Sequence, residues 1–228
     1  TVNLDGKFTG TAVRYNADGT VILADTKNID SSVTTATNNT GTLSLEGSST
    51  VTGQVGASGA SLKEINAGVA GTTSTFNSNV YASNLNMTGA GTVVLNSNLT
   101  GNVVTTGNNQ GILTTTGVNQ TITGNIGSST SLDLNTLNIG SNTDATNYSK
   151  TTINGNVFAD STVLNNNGTT NSSELILASG KNITSTITTT DANMGILTLA
   201  GGIQTVTGQV GNGNKLAEVN AGNGTSTF

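Results

Sequence analysis

The sequence predicts an all-β fold, a right-handed parallel β-helix (β-solenoid) with short coils and inserted loops. Three observations carry the prediction. One long word recurs along the chain, apolar residues alternate in short segments, and the composition is that of a fibrous repeat protein.

The word runs GTLSLEGSSTVTGQVG from Gly41, followed by LKEINAG at Leu62 and STF ending at Phe76. It returns as GILTLAGGIQTVTGQVG from Gly195, followed by LAEVNAG at Leu216 and STF ending at Phe228, with a looser copy, GILTTTGVNQTITGNIG, from Gly111. Phe228 lies twice 76 residues beyond Phe76, so three modules of about 76 fit the chain, at 1–76, 77–150 and 151–228. Landmarks within the modules agree: KF at Lys7, NVYA at Asn79 and NVFA at Asn156 lead to TVIL at Thr20, TVVL at Thr92 and ELIL at Glu174. The unequal spacers between them read as loops, the longest at 140–150 and 165–173.

Within each module Leu43 and Leu45, Val93 and Leu95, Leu175 and Leu177, and Leu197 and Leu199 are two apart, as on one face of a strand. Such segments end in Gly, Asn, Asp or Ser and read as strands joined by turns. In TVTGQVG, Val51 and Val55 flank Gly53, where the chain bends or approaches a neighbouring backbone closely. LKEINAG at Leu62 and LAEVNAG at Leu216 space apolar residues three apart, which allows a single helical turn before the glycine.

Composition separates a solenoid from a string of sandwiches. The 228 residues include 30 glycines and no proline, cysteine, tryptophan or histidine, with 3% aromatic residues. Immunoglobulin-like domains carry more aromatics and prolines, whereas stacked coils need only a thin core of Val, Ile and Leu. Asn and Thr suit ladders in which a side chain bonds to the coil below. At about 4.8 Å per coil, some nine to eleven coils make a rod roughly 45 to 50 Å long. The expectation is that equivalent letters of the three modules lie above one another along its axis. Open coils expose unpaired backbone groups and invite end-to-end association, and neither terminus reads as a cap. The chain therefore reads as a mature protein or a piece of a longer one, Thr1 opening without a signal-peptide pattern.

The same composition narrows the chemistry. Without His or Cys there is neither the usual base of a nucleophilic triad nor a zinc site, and no disulfide. A net charge of -5 and scattered rather than clustered basic residues argue against non-specific binding to nucleic acid or anionic membrane, and no nucleic-acid partner is expected. No run approaches the ~18 apolar residues of a membrane helix. Gly6-Lys7 and Gly180-Lys181 lack the spacing of a P-loop, and Asn16–Gly19 reads as a turn rather than a calcium loop. The densest charge group is Arg14, Asp18, Asp25, Lys27 and Asp30, which the later modules lack; it reads as a solvated face rather than a glycan-cleaving pair. Lys63 and Glu64, with Lys215 and Glu218, read as exposed ends of coils. Among Tyr15, Tyr81 and Tyr148, Tyr81 matches Phe158 in the next module, as a packing position does. No catalytic, cofactor-binding or metal-ligating residue is nominated, no small-molecule substrate is expected, and no partner-binding residue is assigned.

TVTGQVG, GNGNKLAEVNAG and STFNSNVYA resemble the passenger region of the rickettsial surface cell antigens, a family of autotransporters. The resemblance covers nearly the whole chain and is strongest at 41–103 and 193–228. It implies a β-helical passenger, exported through an outer-membrane barrel that this sequence does not contain and displayed on the bacterial surface. It also implies a non-enzymatic role in attachment to and entry into host cells, with a host-cell surface protein as partner. No motif of the family transfers a binding residue onto a position here. A passive spacer or surface-layer element, and a carbohydrate-active β-helix, are the competing readings.

Overall fold

In the computed structural model, which describes residues 1–129, 131–141, 148–166 and 171–228, parallel strands stack in about ten turns of a β-solenoid with no helix. Residues of successive turns stack in ladders, and one ladder marks each of three faces. The first, face A, stacks Val2, Val21, Leu43, Ile65, Leu85, Val103, Ile126, Val157, Ile183 and Val206. Face B stacks Phe8, Ile29, Val51, Phe76, Leu95, Thr115, Ile139, Leu164 and Thr189. Face C stacks Val13, Val33, Val55, Val80, Leu99, Ile122, Ile153, Leu177, Leu199 and Ala221.

Alternation explains why these residues meet. Strand Thr42–Leu45 buries Leu43 and Leu45 and turns Thr42 and Ser44 outward, a pattern shared by Thr20–Leu23, Thr92–Leu95 and Glu174–Leu177. The buried set forms one continuous core from Tyr15 to Val206. Each buried Leu, Ile or Val contributes on the order of 1.5–3 kcal/mol, so stability accumulates coil by coil. Longer strands wrap corners: Leu99–Thr105 carries Leu99 on face C and Val103 on face A.

Equivalent letters of the modules do not lie above one another, contrary to the expectation from the repeat. The TVIL strand supplies face A through Val21, TVVL supplies face B through Leu95, and ELIL supplies face C through Leu177. The word TVTGQVG likewise rounds a different corner each time. Val51 and Val55 join faces B and C, Ile122 and Ile126 join C and A, and Val206 leads from A to Val210, which stacks on Ile187. The reason is arithmetical. Nine turns separate Val2 from Val206, so a turn averages about 23 residues and a module of about 76 makes roughly three and one-third turns. Each module is therefore set one face on from the last, and the ladders stay largely apolar because most inward letters are, Thr115 and Thr189 on face B being exceptions.

The repeated glycine is demanded by close packing at these corners. A Cβ on Gly53 would lie 2.4 Å from the carbonyl carbon of Ser31, and one on Gly124 would lie 2.3 Å from the carbonyl oxygen of Gly101. The helical turn allowed at LKEINAG is instead the strand Leu62–Ala67. Leu62 and Ile65, three apart, are both fully buried because the strand bulges: the N–H groups of Lys63 and Glu64 both donate to the Gly41 carbonyl, at 3.1 and 3.4 Å. LAEVNA at Leu216–Ala221 is a strand too.

Candidate binding corner

The outward polar letters are consumed largely in tying coil to coil. On one corner Asn102 Oδ1 accepts the N–H of Asn125 (3.0 Å), Asn125 Oδ1 that of Asn156 (2.8 Å), Asn156 Oδ1 that of Asn182 (2.9 Å) and Asn182 Oδ1 that of Thr205 (2.8 Å). Each asparagine thus satisfies the backbone donor one coil above, at a turn where no strand neighbour does so. Asn86 Nδ2 donates to Asn66 Oδ1 at 2.9 Å in the side-chain ladder on face A.

The three carboxylates of the densest charge group in the sequence serve the same end. Asp18, in the Asn16–Gly19 turn, accepts the Gly41 N–H at 3.1 Å and lies 3.7 Å from Lys63 Nζ. That N–H, and secondarily Lys63, holds its carboxyl below the usual range. Asp25 Oδ1 accepts the Ser48 N–H at 2.8 Å, and Asp30 pairs with Lys7 at 2.5 Å. Three carboxylates so engaged are coil fasteners, and the structure does not gather them with Arg14 and Lys27 into one constellation of contacts. Among the described residues no three His, Cys, Asp or Glu side chains group as a metal site, and no helix is long and apolar enough to cross a membrane.

The tyrosines divide. Tyr15 is buried, its hydroxyl donating to the Thr42 carbonyl at 2.7 Å, and burial pushes its phenol well above the usual range. Tyr81 and Phe158 are both half-buried at equivalent corners, each backed by the close approach of a glycine, Gly56 or Gly127. Tyr148 is half-buried beside the first long insert.

The feature that distinguishes one side of the rod is the passage from face B to face C. From the second coil to the fifth it takes four residues, as from Val51 to Val55 and from Leu95 to Leu99. It then takes seven from Thr115 to Ile122, fourteen from Ile139 to Ile153, thirteen from Leu164 to Leu177 and ten from Thr189 to Leu199. The inserts expected at 140–150 and 165–173 therefore both fall in this crossing, in consecutive coils; their residues 142–147 and 167–170 lie outside the described residues.

What fixes their roots is a buried polar network that the sequence did not announce. Ser149 Oγ donates to the Gly117 carbonyl (2.8 Å) and its N–H to Ser173 Oγ (3.1 Å). Ser173 N–H donates to Asn166 Oδ1 (2.7 Å), and Asn166 Nδ2 to Thr189 Oγ1 (2.7 Å). Thr115 and Thr151 hydroxyls meet at 2.8 Å. These side chains are at most 2% exposed, and in so dry a place each satisfied bond favours one conformation of the crossing. Lys150 and Glu174, paired at 2.9 Å, mark the outer rim of the same corner. Elsewhere, an open depression of about 250 Å³ lined by Asp133, Asp160, Thr184 and Thr186 also escaped the sequence reading; Asp133 is engaged by the Asn109 N–H at 2.8 Å.

No protein-family model, no curated protein and no solved structure matches this chain.

Proposed function

We propose that the chain is a non-enzymatic structural rod and adhesin of the bacterial surface, engaging a host-cell surface protein through the corner between faces B and C. The observation that carries this reading is the lengthening of that one crossing in four successive coils, over roots locked by buried hydrogen bonds. Loops held by a rigid scaffold are where binding surfaces are built, because the scaffold cannot vary without losing its ladders. The resemblance of the repeated words to autotransporter passengers supports the same role, and the engagement of Asp18, Asp25 and Asp30 in coil-to-coil bonds weighs against glycan cleavage by that group.

Deleting either insert, 140–150 or 165–173, from a rod that keeps its melting transition should reduce attachment of the purified protein to host cells. Unchanged attachment removes that insert from the reading. The flush, ladder-covered lower coils favour a second reading, a passive spacer with binding carried elsewhere; absence of binding at about micromolar concentration selects it.

A further inference from the structure

The flank between faces A and B carries a step. The passage from A to B takes twelve residues from Val103 to Thr115 and thirteen from Ile126 to Ile139, then seven from Val157 to Leu164 and six from Ile183 to Thr189. The longer crossings stand out from the rod, and the shorter ones draw in above them. In the angle lies the depression of about 250 Å³, with Asp133 at its foot and Asp160, Thr184, Thr186, Thr207 and Gly208 rising coil by coil behind it. The wall stays low at Gly208, where a Cβ would come 2.2 Å from the Ser185 carbonyl oxygen. The depression lies across strands Leu134–Ile139, Val157–Leu164 and Ile183–Thr189, each of which is paired on both sides.

Elsewhere on the rod outward polar side chains are taken up by the neighbouring coils, and here they are not. Asp160 is exposed and makes no hydrogen bond or ion pair with the described residues, and the hydroxyls of Thr184, Thr186 and Thr207 make none either. The preceding module gives the contrast. NVYA is followed by Ser83 where NVFA is followed by Asp160, and Ser83 Oγ donates to Asn39 Oδ1 at 2.6 Å. Nor is the charge balanced: Lys7, Lys63 and Lys150 pair with Asp30, Asp18 and Glu174, and no lysine or arginine lines the depression.

We propose that this step is an interaction surface for a protein partner that seats an arginine side chain in it. Two carboxylates with no base beside them give the depression a negative field, which a cation relieves and a neutral group does not. A guanidinium suits the remaining groups better than an ammonium. It is planar and carries five N–H donors in a fixed fork, enough to serve the Asp160 carboxylate and the threonine hydroxyls together. Phe158, half-buried and paired in register with Thr184, offers a ring face at the margin for the cation. A metal ion is the poorer occupant, because Asp133 already holds the Asn109 N–H and no third carboxylate joins the pair among the described residues. The step lies on a different flank from the corner between faces B and C, so the contact does not depend on what that corner binds.

Titrating the isotope-labelled full chain with the peptide acetyl-Gly-Arg-Gly-amide, followed by NMR, tests this. The expected result is a set of shifts confined to the amides around Asp160, Thr184 and Thr186, saturating with a Kd of about 1–10 mM and weakening as salt is raised. Asp160→Asn, at an exposed position that takes part in no bond of the fold, should weaken binding about three- to fivefold and leave the melting transition where it was. Thr184→Val gives a second variant, expected to weaken binding less. The same peptide with citrulline in place of arginine keeps the shape, loses the charge and should not bind. No shift at these amides overturns the proposal, whether or not calcium chloride or maltose shifts them instead. Equal binding of the citrulline peptide, or binding that Asp160→Asn leaves unchanged, overturns it as well.

Discussion

Gln120 reaches down one coil to the carbonyl of Leu95, its Nε2 3.2 Å from that oxygen, and accepts the Gly117 N–H at 2.9 Å to close its own turn. Gln204, the same letter one module on, repeats the clasp, accepting from Gly201 at 2.8 Å and donating to Ala178 and Lys181 one coil below. The first module has Ser49 there, and its buried hydroxyl has no partner. Leaving a buried donor or acceptor unmet costs about 1–3 kcal/mol, whereas removing an unpartnered hydroxyl costs little. Gln120→Ala and Gln204→Ala should therefore each lower stability by about 1–3 kcal/mol, and Ser49→Ala should be neutral or stabilising, by denaturant titration.

The corner glycines admit no side chain. Gly124→Ala would bring a Cβ to 2.3 Å from the Gly101 carbonyl oxygen, and that neighbour is backbone in the coil below. Overpacking typically costs 1–3 kcal/mol, so a loss of about that size is expected, while Gly19→Ala, with open space around its Cβ position, should cost much less.

Position in the stack, rather than the letter of the repeat, sets the cost of truncating the core. Ile65→Ala should destabilise by about 2–5 kcal/mol because the residue is enclosed from both sides. Val219→Ala, at the same letter but 41% exposed, should cost this chain under about 1 kcal/mol.

Two groups give the rod opposite responses to pH. The Asp18 carboxyl is held low by the Gly41 N–H and then by Lys63, so its contribution is present above the unfolded value, about 3.9, and is lost as pH falls through the lower folded value. The Tyr15 phenol is pushed up by burial, so its contribution is complete below the unfolded value of about 10 and declines as pH rises beyond it. Thermal melts should show a fall in stability below pH ~4 that is shallower in Asp18→Asn. Above pH ~10 the wild type should lose stability that Tyr15→Phe retains.

The parallel coil was legible in this chain because Leu43 and Leu45, or Leu197 and Leu199, state their burial by alternation alone. The period of the stack was not. A turn takes 18 residues from Leu85 to Val103 and 31 from Ile126 to Val157, so matching words report the length of a module, which is not a whole number of turns. The bulge at Lys63 and Glu64 mimicked a helical spacing because both donors share one carbonyl 22 residues back along the chain. The partners of Asp18 and Asp25 lie 23 residues away, a separation at which neighbouring letters give no hint that a carboxylate is spoken for. The inserts themselves could be read as spacers of unequal length. That they share one corner depends on the path of the chain around the axis, and the serine and asparagine residues at their roots look like ordinary loop composition until that path is known.

The third-of-a-turn advance per module has a genetic corollary. Duplicating or excising a single module would swing everything beyond it through about 120° and carry the long crossings to another azimuth, although every hydrogen-bonded layer remained intact. Gain or loss in threes alone restores the original heading, so in a lineage that lengthens its rod by recombination, modules added in other numbers would re-aim the corner of long crossings without altering one of its residues.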